Sequence, residues 1–178
     1  PSHRENAILA LRAGKPVLVE KPFAMNAAEA AEIVAVAREE KLFAMEAMWT
    51  RFLPHVAQIR EWLAAGALGE LVTVTADHGQ WFPEDPEFRL FAPELGGGAL
   101  LDLGIYPVSF ASMILGSPDR IAAVIDPAFT GVDAQTSMVF AYETGAQAVL
   151  TCTLRAKSPT RAAIVGTEAR SEIDGDFY

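Results

Sequence analysis

The chain has 178 residues, of which 51% are hydrophobic, and its 14 basic and 23 acidic residues give a formal net charge of −9. This composition can bury a core, and the negative charge argues against nucleic acid or an anionic membrane surface as a partner. The single cysteine, Cys152, excludes an internal disulfide framework and favours a reducing, cytoplasmic environment. We also expect no membrane-spanning helix, because the sequence shows no uninterrupted apolar run of that length.

The first 48 residues alternate between helix and strand patterns. Ser2 is a predicted helix cap, and a short β-branched strand follows at Val17–Val19. A second helix begins at Asn26 in a near capping box, and residues 42–45 form the next strand. Because such alternation with short loops indicates a parallel α/β unit, we predict that residues 1–48 are the C-terminal portion of a doubly wound Rossmann domain.

Residues 49–178 follow a different pattern, with β-prone strands joined by turns. We predict a helix over residues 99–115, kinked at Pro107, and a hairpin turn at Glu143–Gly145. The strands are expected at residues 71–76, 121–125, 137–142, 146–154 and 162–165. The fold class is therefore α/β with an α+β second domain, a mostly antiparallel open sheet with helices on one face. We interpret this part as an incomplete substrate-binding and oligomerisation domain.

Lys21 is unusual because it is a charged residue at the end of a strand whose sequence predicts burial on both faces. Pro22 fixes its own backbone and restricts Lys21 before it. In open α/β sheets, ligands bind outside the carboxyl ends of the strands, so Lys21 and the adjacent Glu20 are candidates for a binding site. One alternative is a lyase in which Lys21 forms a Schiff base with its substrate.

Asp102 and Tyr106 lie four residues apart on the predicted long helix, which places them on one face, one turn apart. The preceding Gly96–Gly98 run lets the backbone approach a ligand closely. The alternative interpretation is a helix at the edge of the core, whose tyrosine hydroxyl bonds Asp102. His3, His55 and His78 show no metal-ligand spacing, and we expect His55 and His78 to be ordinary surface or core residues.

Three segments in order along the chain, at residues 17–22, 46–52 and 96–107, together resemble the glucose–fructose oxidoreductase / inositol dehydrogenase (Gfo/Idh/MocA) family. They are most similar to its branch of dimeric dihydrodiol dehydrogenases and NADP-dependent xylose dehydrogenases. The resemblance implies an NAD(P)-dependent enzyme that transfers hydride between nicotinamide and a CH–OH group of a sugar, polyol or cyclic diol. It favours NADP over NAD, and a homodimer or homotetramer formed through the open sheet.

The resemblance also implies roles for particular residues and no metal. Lys21, Tyr106 and Asp102 are the catalytic set, with Tyr106 as the acid/base and the Lys21–Pro22 peptide cis. The implied cofactor-binding residues are His3, Glu20, Lys21, Pro22, Trp49 and Arg51. The implied substrate-binding residues are Lys21, Trp81, Phe82, Phe88, Arg89, Asp102 and Tyr106.

The proposed catalytic set imposes a condition on its own geometry. A tyrosine takes the proton of a substrate hydroxyl as its phenolate, whose negative charge a nearby cation stabilises and a nearby carboxylate opposes. The set is therefore coherent only if Lys21 approaches Tyr106 and also neutralises Asp102.

The family's glycine-rich phosphate-binding turn is not found in these 178 residues. We therefore expect a fragment that lacks the N-terminal part of the Rossmann domain and the C-terminal end. The alternative function is a truncated, non-catalytic family member that keeps only the oligomerisation sheet.

Overall fold

The computed structural model describes residues 1–177 and contains two sheets. The smaller sheet consists of two parallel strands, β1 (Val17–Val19) and β2 (Ala44–Glu46), in which Val19 lies opposite Glu46. Helices α1 (His3–Arg12) and α2 (Ala27–Glu39) pack against these strands. The core of this unit consists of Ala7, Leu11, Val19, Ile33 and Ala37.

Local sequence signals were right at one helix start of this unit and wrong at the other. The Asn26 side chain accepts a hydrogen bond from the Glu29 backbone N–H at 3.0 Å, as the capping box predicts. Ser2 makes no side-chain cap. The expectation that β1 is buried on both faces is also wrong for the described residues, since Val19 is buried but Leu18 is exposed.

The larger sheet has six strands in the order β4–β5–β6–β3–β7–β8, and all of its pairings are antiparallel except β3 with β6. The predicted fold class is confirmed. The strands are β3 (Leu71–Gly79), β4 (Arg120–Pro127), β5 (Asp133–Ala141), β6 (Gln147–Thr153), β7 (Ala162–Gly166) and β8 (Arg170–Ile173). The predicted hairpin joins β5 to β6, and Gly145 adopts the positive φ of 88° that its turn requires.

The helices of this unit cover one face of the large sheet. They are a 3₁₀ turn at Trp49–Phe52, α3 (Pro54–Ala64), a 3₁₀ turn at Pro93–Leu95, a π-helical turn at Leu100–Gly104 and α4 (Ile105–Leu115). Phe110 and Ala111 of α4 pack against every second residue of the strands, and together these residues form the largest core cluster. Only every second strand residue faces the helices, because successive side chains point to opposite faces of a sheet.

Residues 93–115 are long and apolar enough to cross a membrane by length and composition, with a mean hydropathy of 1.5. The segment contains Glu94 and Asp102, so it is not the uninterrupted apolar run whose absence was noted from the sequence. In the structure 56% of this window is buried, and its helical turns lie against the large sheet. Its apolar residues contribute to the core.

Candidate active site

The loop after β1 presents Lys21 at the carboxyl end of the strand. The Lys21–Pro22 peptide is cis. Two side chains hold the loop: the His3 Nδ1–H donates to the Pro22 carbonyl at 2.8 Å, and Glu46 Oε1 accepts from the Phe23 N–H at 2.8 Å. Sequence reasoning gave Glu46 no role, although its place at the end of the neighbouring parallel strand was a usable signal.

Lys21 reaches across to Asp102 from the other unit of the chain. Its Nζ donates to Asp102 Oδ1 at 3.0 Å and to the Asp102 backbone carbonyl at 2.8 Å. Arg89 donates to the same carboxylate oxygen at 3.1 Å. Desolvation by itself would raise the pKa of the buried Asp102 carboxyl, but the ammonium of Lys21 and the guanidinium of Arg89 hold that pKa below its ordinary value. Asp102 is therefore a neutralised carboxylate, not an isolated charge.

The Asp102 backbone lies in a π-helical turn, so residues 99–115 are helical as predicted, but residues 100–104 are π-helical and only the later residues form an α-helix. Two close contacts accompany this turn. Asp133 Oδ2 accepts from the Leu100 N–H at 2.7 Å, and Gly104 approaches the sheet so closely that a Cβ there would lie 2.8 Å from Cys152 Sγ. Only glycine fits that approach without a shift of its neighbours. The resulting bulge carries Asp102 toward Lys21, as π-bulges often do at functional sites.

Tyr106 follows this turn as a buried residue of α4. Lys21 Nζ lies 4.9 Å from the centre of the tyrosine ring, within the range of a cation–π contact. The Trp49 indole N–H donates to the Tyr106 hydroxyl at 3.4 Å. Lys21 thus contacts both Asp102 and the Tyr106 ring, and the geometric condition set by the chemistry is met.

The sequence predicts His78 to be an ordinary surface or core residue, and the structure buries it beside Tyr106. Its ring packs edge-on against Tyr106, with ring centres 5.2 Å apart. Burial lowers the pKa of His78, a hydrogen bond with the Leu103 backbone opposes that shift, and the charge of Lys21 adds to it. Pro107 has no N–H to donate to the Leu103 carbonyl four residues earlier, as a regular α-helix would require. Sequence periodicity gave no signal for this contact.

The remaining implied site residues are distributed around this centre. Glu20 accepts from the Lys21 N–H through its own side chain at 3.2 Å. Arg51 donates to the Ser109 hydroxyl at 2.9 Å and to the Ser109 carbonyl at 3.1 Å, so it ties the Trp49–Phe52 turn to α4.

The aromatic residues of the proline-rich loop are not brought together with Lys21. Trp81 and Phe82 line a separate cavity of about 300 Å³ with Phe91 and Leu154. Phe82 packs on Phe88 with ring centres 5.7 Å apart. Arg89 is the implied substrate-binding residue of this loop that the structure does place at Asp102.

A cavity of about 210 Å³ opens beside the Lys21–Asp102 pair. His3, Lys21, Arg89 and Asp102 form its polar wall, and its apolar wall includes Pro22, Ala24, Met25, Leu95 and Leu101. In residues 1–177, no group of three His, Cys, Asp or Glu side chains is placed to hold a metal ion.

The residues present fit the reacting end of a nicotinamide dinucleotide. The polar groups of the cavity support this fit. The lysine, histidine and arginine side chains can donate hydrogen bonds to hydroxyl groups of a ribose or a substrate, and the ionised Asp102 carboxylate can accept them. The volume suits one ring and not a whole dinucleotide.

Two family models match the chain: "Oxidoreductase family, NAD-binding Rossmann fold" over residues 1–48 and "GFO/IDH/MocA C-terminal domain" over residues 56–172. A trans-1,2-dihydrobenzene-1,2-diol dehydrogenase from Sus scrofa is 42% identical over 175 residues, which cover 97% of this chain and 52% of that protein. The chain spans about half the length of the curated relatives it matches.

Solved structures resemble the fold over nearly all of the chain. An aldose–aldose oxidoreductase from Caulobacter crescentus, in complex with glycerol, matches with a TM-score of 0.92 and 28% identity, covering 99% of this chain and 54% of that one. KijD10, a 3-ketoreductase from Actinomadura kijaniata in complex with NADP and TDP-benzene, matches with a TM-score of 0.85 and 30% identity, covering 99% and 55%.

Proposed function

Because this chain belongs to the GFO/IDH/MocA oxidoreductase family, we propose that the protein is an NAD(P)-dependent dehydrogenase that acts on a CH–OH group of a sugar, polyol or cyclic diol. The observation that carries the proposal is the position of Lys21, 3.0 Å from the Asp102 carboxylate and 4.9 Å from the Tyr106 ring centre. A cation that contacts both a carboxylate and a tyrosine supports alcohol oxidation by a tyrosine base, because it can offset the negative charge of both groups.

In this proposal each side chain has a distinct task. The Lys21 ammonium stabilises the phenolate form of Tyr106, and the phenolate oxygen accepts the proton of the substrate hydroxyl, which leaves Tyr106 as the neutral phenol. Asp102 accepts a hydrogen bond from a neighbouring substrate hydroxyl, while Arg89 and Lys21 keep the carboxylate neutralised. When bound, a nicotinamide dinucleotide supplies the acceptor for the hydride.

The identity of the cofactor and the assembly extend the proposal. Resemblance to the xylose and dihydrodiol dehydrogenase branch supports NADP as the preferred dinucleotide. The face of the large sheet opposite α4 exposes Val139, Val149 and Val165, which supports a homodimer or homotetramer formed through that face. The lone, buried Cys152 supports a reducing, cytoplasmic environment.

A binding experiment separates the proposed enzyme from a non-catalytic family member. Nicotinamide fluorescence is followed while NADPH or NADH is titrated into the 178-residue chain and into a form extended to the length of its curated relatives. Saturable binding by the extended form supports the enzyme. Absence of binding by both forms contradicts it and favours a protein that keeps only the oligomerisation sheet.

Activity variants of the extended form test the assigned roles. Tyr106→Phe and Lys21→Met are each expected to lower turnover at least about a hundredfold, the usual scale of general acid–base catalysis. Tyr142→Phe and Lys157→Met are the matched controls, since neither residue lies at the site. Near-normal turnover of Tyr106→Phe would defeat the assignment, and borohydride trapping of a substrate on Lys21 would favour the lyase alternative.

A further inference from the structure

Strand β4 forms one edge of the large sheet and is exposed along its whole length. Every residue from Arg120 to Pro127 is exposed. Ile121, Val124 and Ile125 are among the most exposed large apolar side chains, at 62%, 75% and 57%. An edge strand with free backbone groups and exposed apolar side chains is a template for pairing with another strand.

The two edges of the sheet differ in how they are protected. At the far edge, β8 is only four residues long, and Arg170 and Glu172 form an ion pair at 2.7 Å. Short length and charge are the usual means of blocking an edge. The centre of β4 is an uncharged five-residue run, Ile-Ala-Ala-Val-Ile, at residues 121–125. β4 therefore lacks the protection that β8 has.

The sequence of β4 is self-complementary when the strand is paired antiparallel with itself. With Ala123 on the two-fold axis, Ile121 lies opposite Ile125 and Ala122 lies opposite Val124. Arg120 then lies opposite Asp126, so each end of the strand carries an ion pair. Residues 120–126 keep an unbroken register against β5, so this stretch is regular enough to pair on its outer side.

From this complementarity we infer that β4 pairs with β4 of a second copy of the chain, in antiparallel register about Ala123, to form a continuous sheet. Isologous contacts of this kind are the common way in which identical chains form dimers.

Charge fixes the register of the pairing. Within residues 1–177, Arg120 forms no ion pair, so its guanidinium is available for Asp126 of the partner subunit. Asp126 already contacts Arg155 through one carboxylate oxygen, Oδ2, which leaves Oδ1 for a second cation. If the two β4 strands shift by two residues in either direction, Arg120 lies opposite Val124 or Ala128 of the partner subunit, and the ion pair with Asp126 is lost.

This edge contact is distinct from packing through the open face of the sheet. Ala123 lies opposite Met138, and Ile121 opposite Phe140, both of which are buried on the helix side. Face-to-face packing of two sheets leaves that side of β4 uncovered. Pairing of the edges instead brings Ile121 against Ile125 of the partner subunit.

Cysteine cross-linking of the 178-residue chain tests the inference directly. Ala123→Cys places two thiols on the two-fold axis, within the distances that a disulfide spans. The native Cys152 is buried, and burial raises its pKa to about 12, so the introduced cysteine is the reactive thiol. We expect mild oxidation to give a disulfide-linked dimer with Ala123→Cys at the sheet edge. Ala163→Cys lies on the open face of the sheet with Val149, and its cross-linking reports packing through that face separately.

Sedimentation velocity provides the second measurement. The unmodified chain is expected to be a dimer or larger, and Ile121→Lys is expected to raise the dissociation constant of the edge contact roughly tenfold, because the symmetry axis repeats the substitution. Val149→Lys is the comparison variant, because it weakens packing through the sheet face and leaves the β4 edge contact intact. The inference is overturned if the unmodified chain is a monomer. It is also overturned if Ala163→Cys cross-links while Ala123→Cys does not, which would identify the sheet face as the contact.

Discussion

Replacing Lys21 by methionine isolates the electrostatic role of this residue, because methionine keeps most of the apolar stem and removes the charge. The side chain of Lys21 is only 18% exposed and that of its partner Asp102 only 11%, so solvent screens the pair weakly. At 3.0 Å the gross attraction is about 5.5 kcal/mol for an effective dielectric constant of about 20. Arg89 remains as a second partner but is 62% exposed and compensates only in part. We expect a net loss of about 2–3 kcal/mol in the free energy of unfolding at pH 7.

The pH dependence of this loss is the sharper test. In the native protein the pKa of Asp102 is lowered in spite of burial, so its ionisation contributes stability above the unfolded pKa of about 4, and this contribution is lost as the pH falls through the lower folded pKa. Without Lys21, Arg89 is the remaining cation that lowers this pKa, so the pKa of Asp102 rises relative to that in the parent chain. The stability that the ionised carboxylate contributes above about pH 4 then shrinks, and the variant's stability depends less on pH than that of the parent.

Urea unfolding at several pH values, followed by circular dichroism, measures this difference. Lys157→Met is the control, because Lys157 is exposed in a surface pair with Asp176. If the two variants lose the same stability and share one pH profile, the reasoning about the buried charge is wrong.

Three further predictions concern the packing around the site. Gly104→Ala is expected to destabilise the chain by about 1–3 kcal/mol, because its Cβ would lie 2.8 Å from Cys152 Sγ, and the double variant with Cys152→Ala should recover part of the loss in a urea titration. Burial lowers the pKa of His78, so below about pH 6.5 the unfolded chain binds a proton on this residue more readily than the folded chain does. The free energy of unfolding should therefore fall as the pH drops below about 6.5, and His78→Phe should flatten that part of the stability profile. Cys152, whose pKa burial raises to about 12, should react with a thiol reagent at pH 8 only after unfolding, and rapid reaction of the native chain would contradict its placement.

Much of the site was predictable because its residues occupy positions with local signals. Lys21 lies just after a strand and precedes a proline, and the i, i+4 spacing of Asp102 and Tyr106 predicts neighbouring positions on an α-helix. What linked these residues before the structure was the resemblance of three segments to one family. The contact of Lys21 with both Asp102 and Tyr106 was a condition of the chemistry, and the structure meets it.

The parts that sequence reasoning missed depend on tertiary contacts. The π-helical turn inserts one residue into a helix whose apolar pattern alone suggests a regular period, and the contacts at Gly104 and Asp133 that accompany it come from distant strands. His78 sits on a strand with ordinary alternation, which identifies an inward-facing residue but not the tyrosine it faces. A loop sets the direction in which the Trp81 side chain points, and a loop sequence has no periodic pattern from which that direction could be predicted.

The Lys21–Asp102 ion pair has a consequence for exchanging segments between relatives. Lys21 comes from the small parallel sheet, whereas Asp102, Arg89 and Tyr106 come from the unit built on the large sheet. A chimera that joins the first 48 residues of one relative to the rest of another keeps the charges balanced only if the first segment supplies the lysine and the second supplies the carboxylate. A lysine replaced on one side leaves a buried carboxylate without its nearer cation, and a carboxylate replaced on the other leaves a buried ammonium. Compatibility of the two segments can therefore be read from the identities of these few residues before any chimera is made.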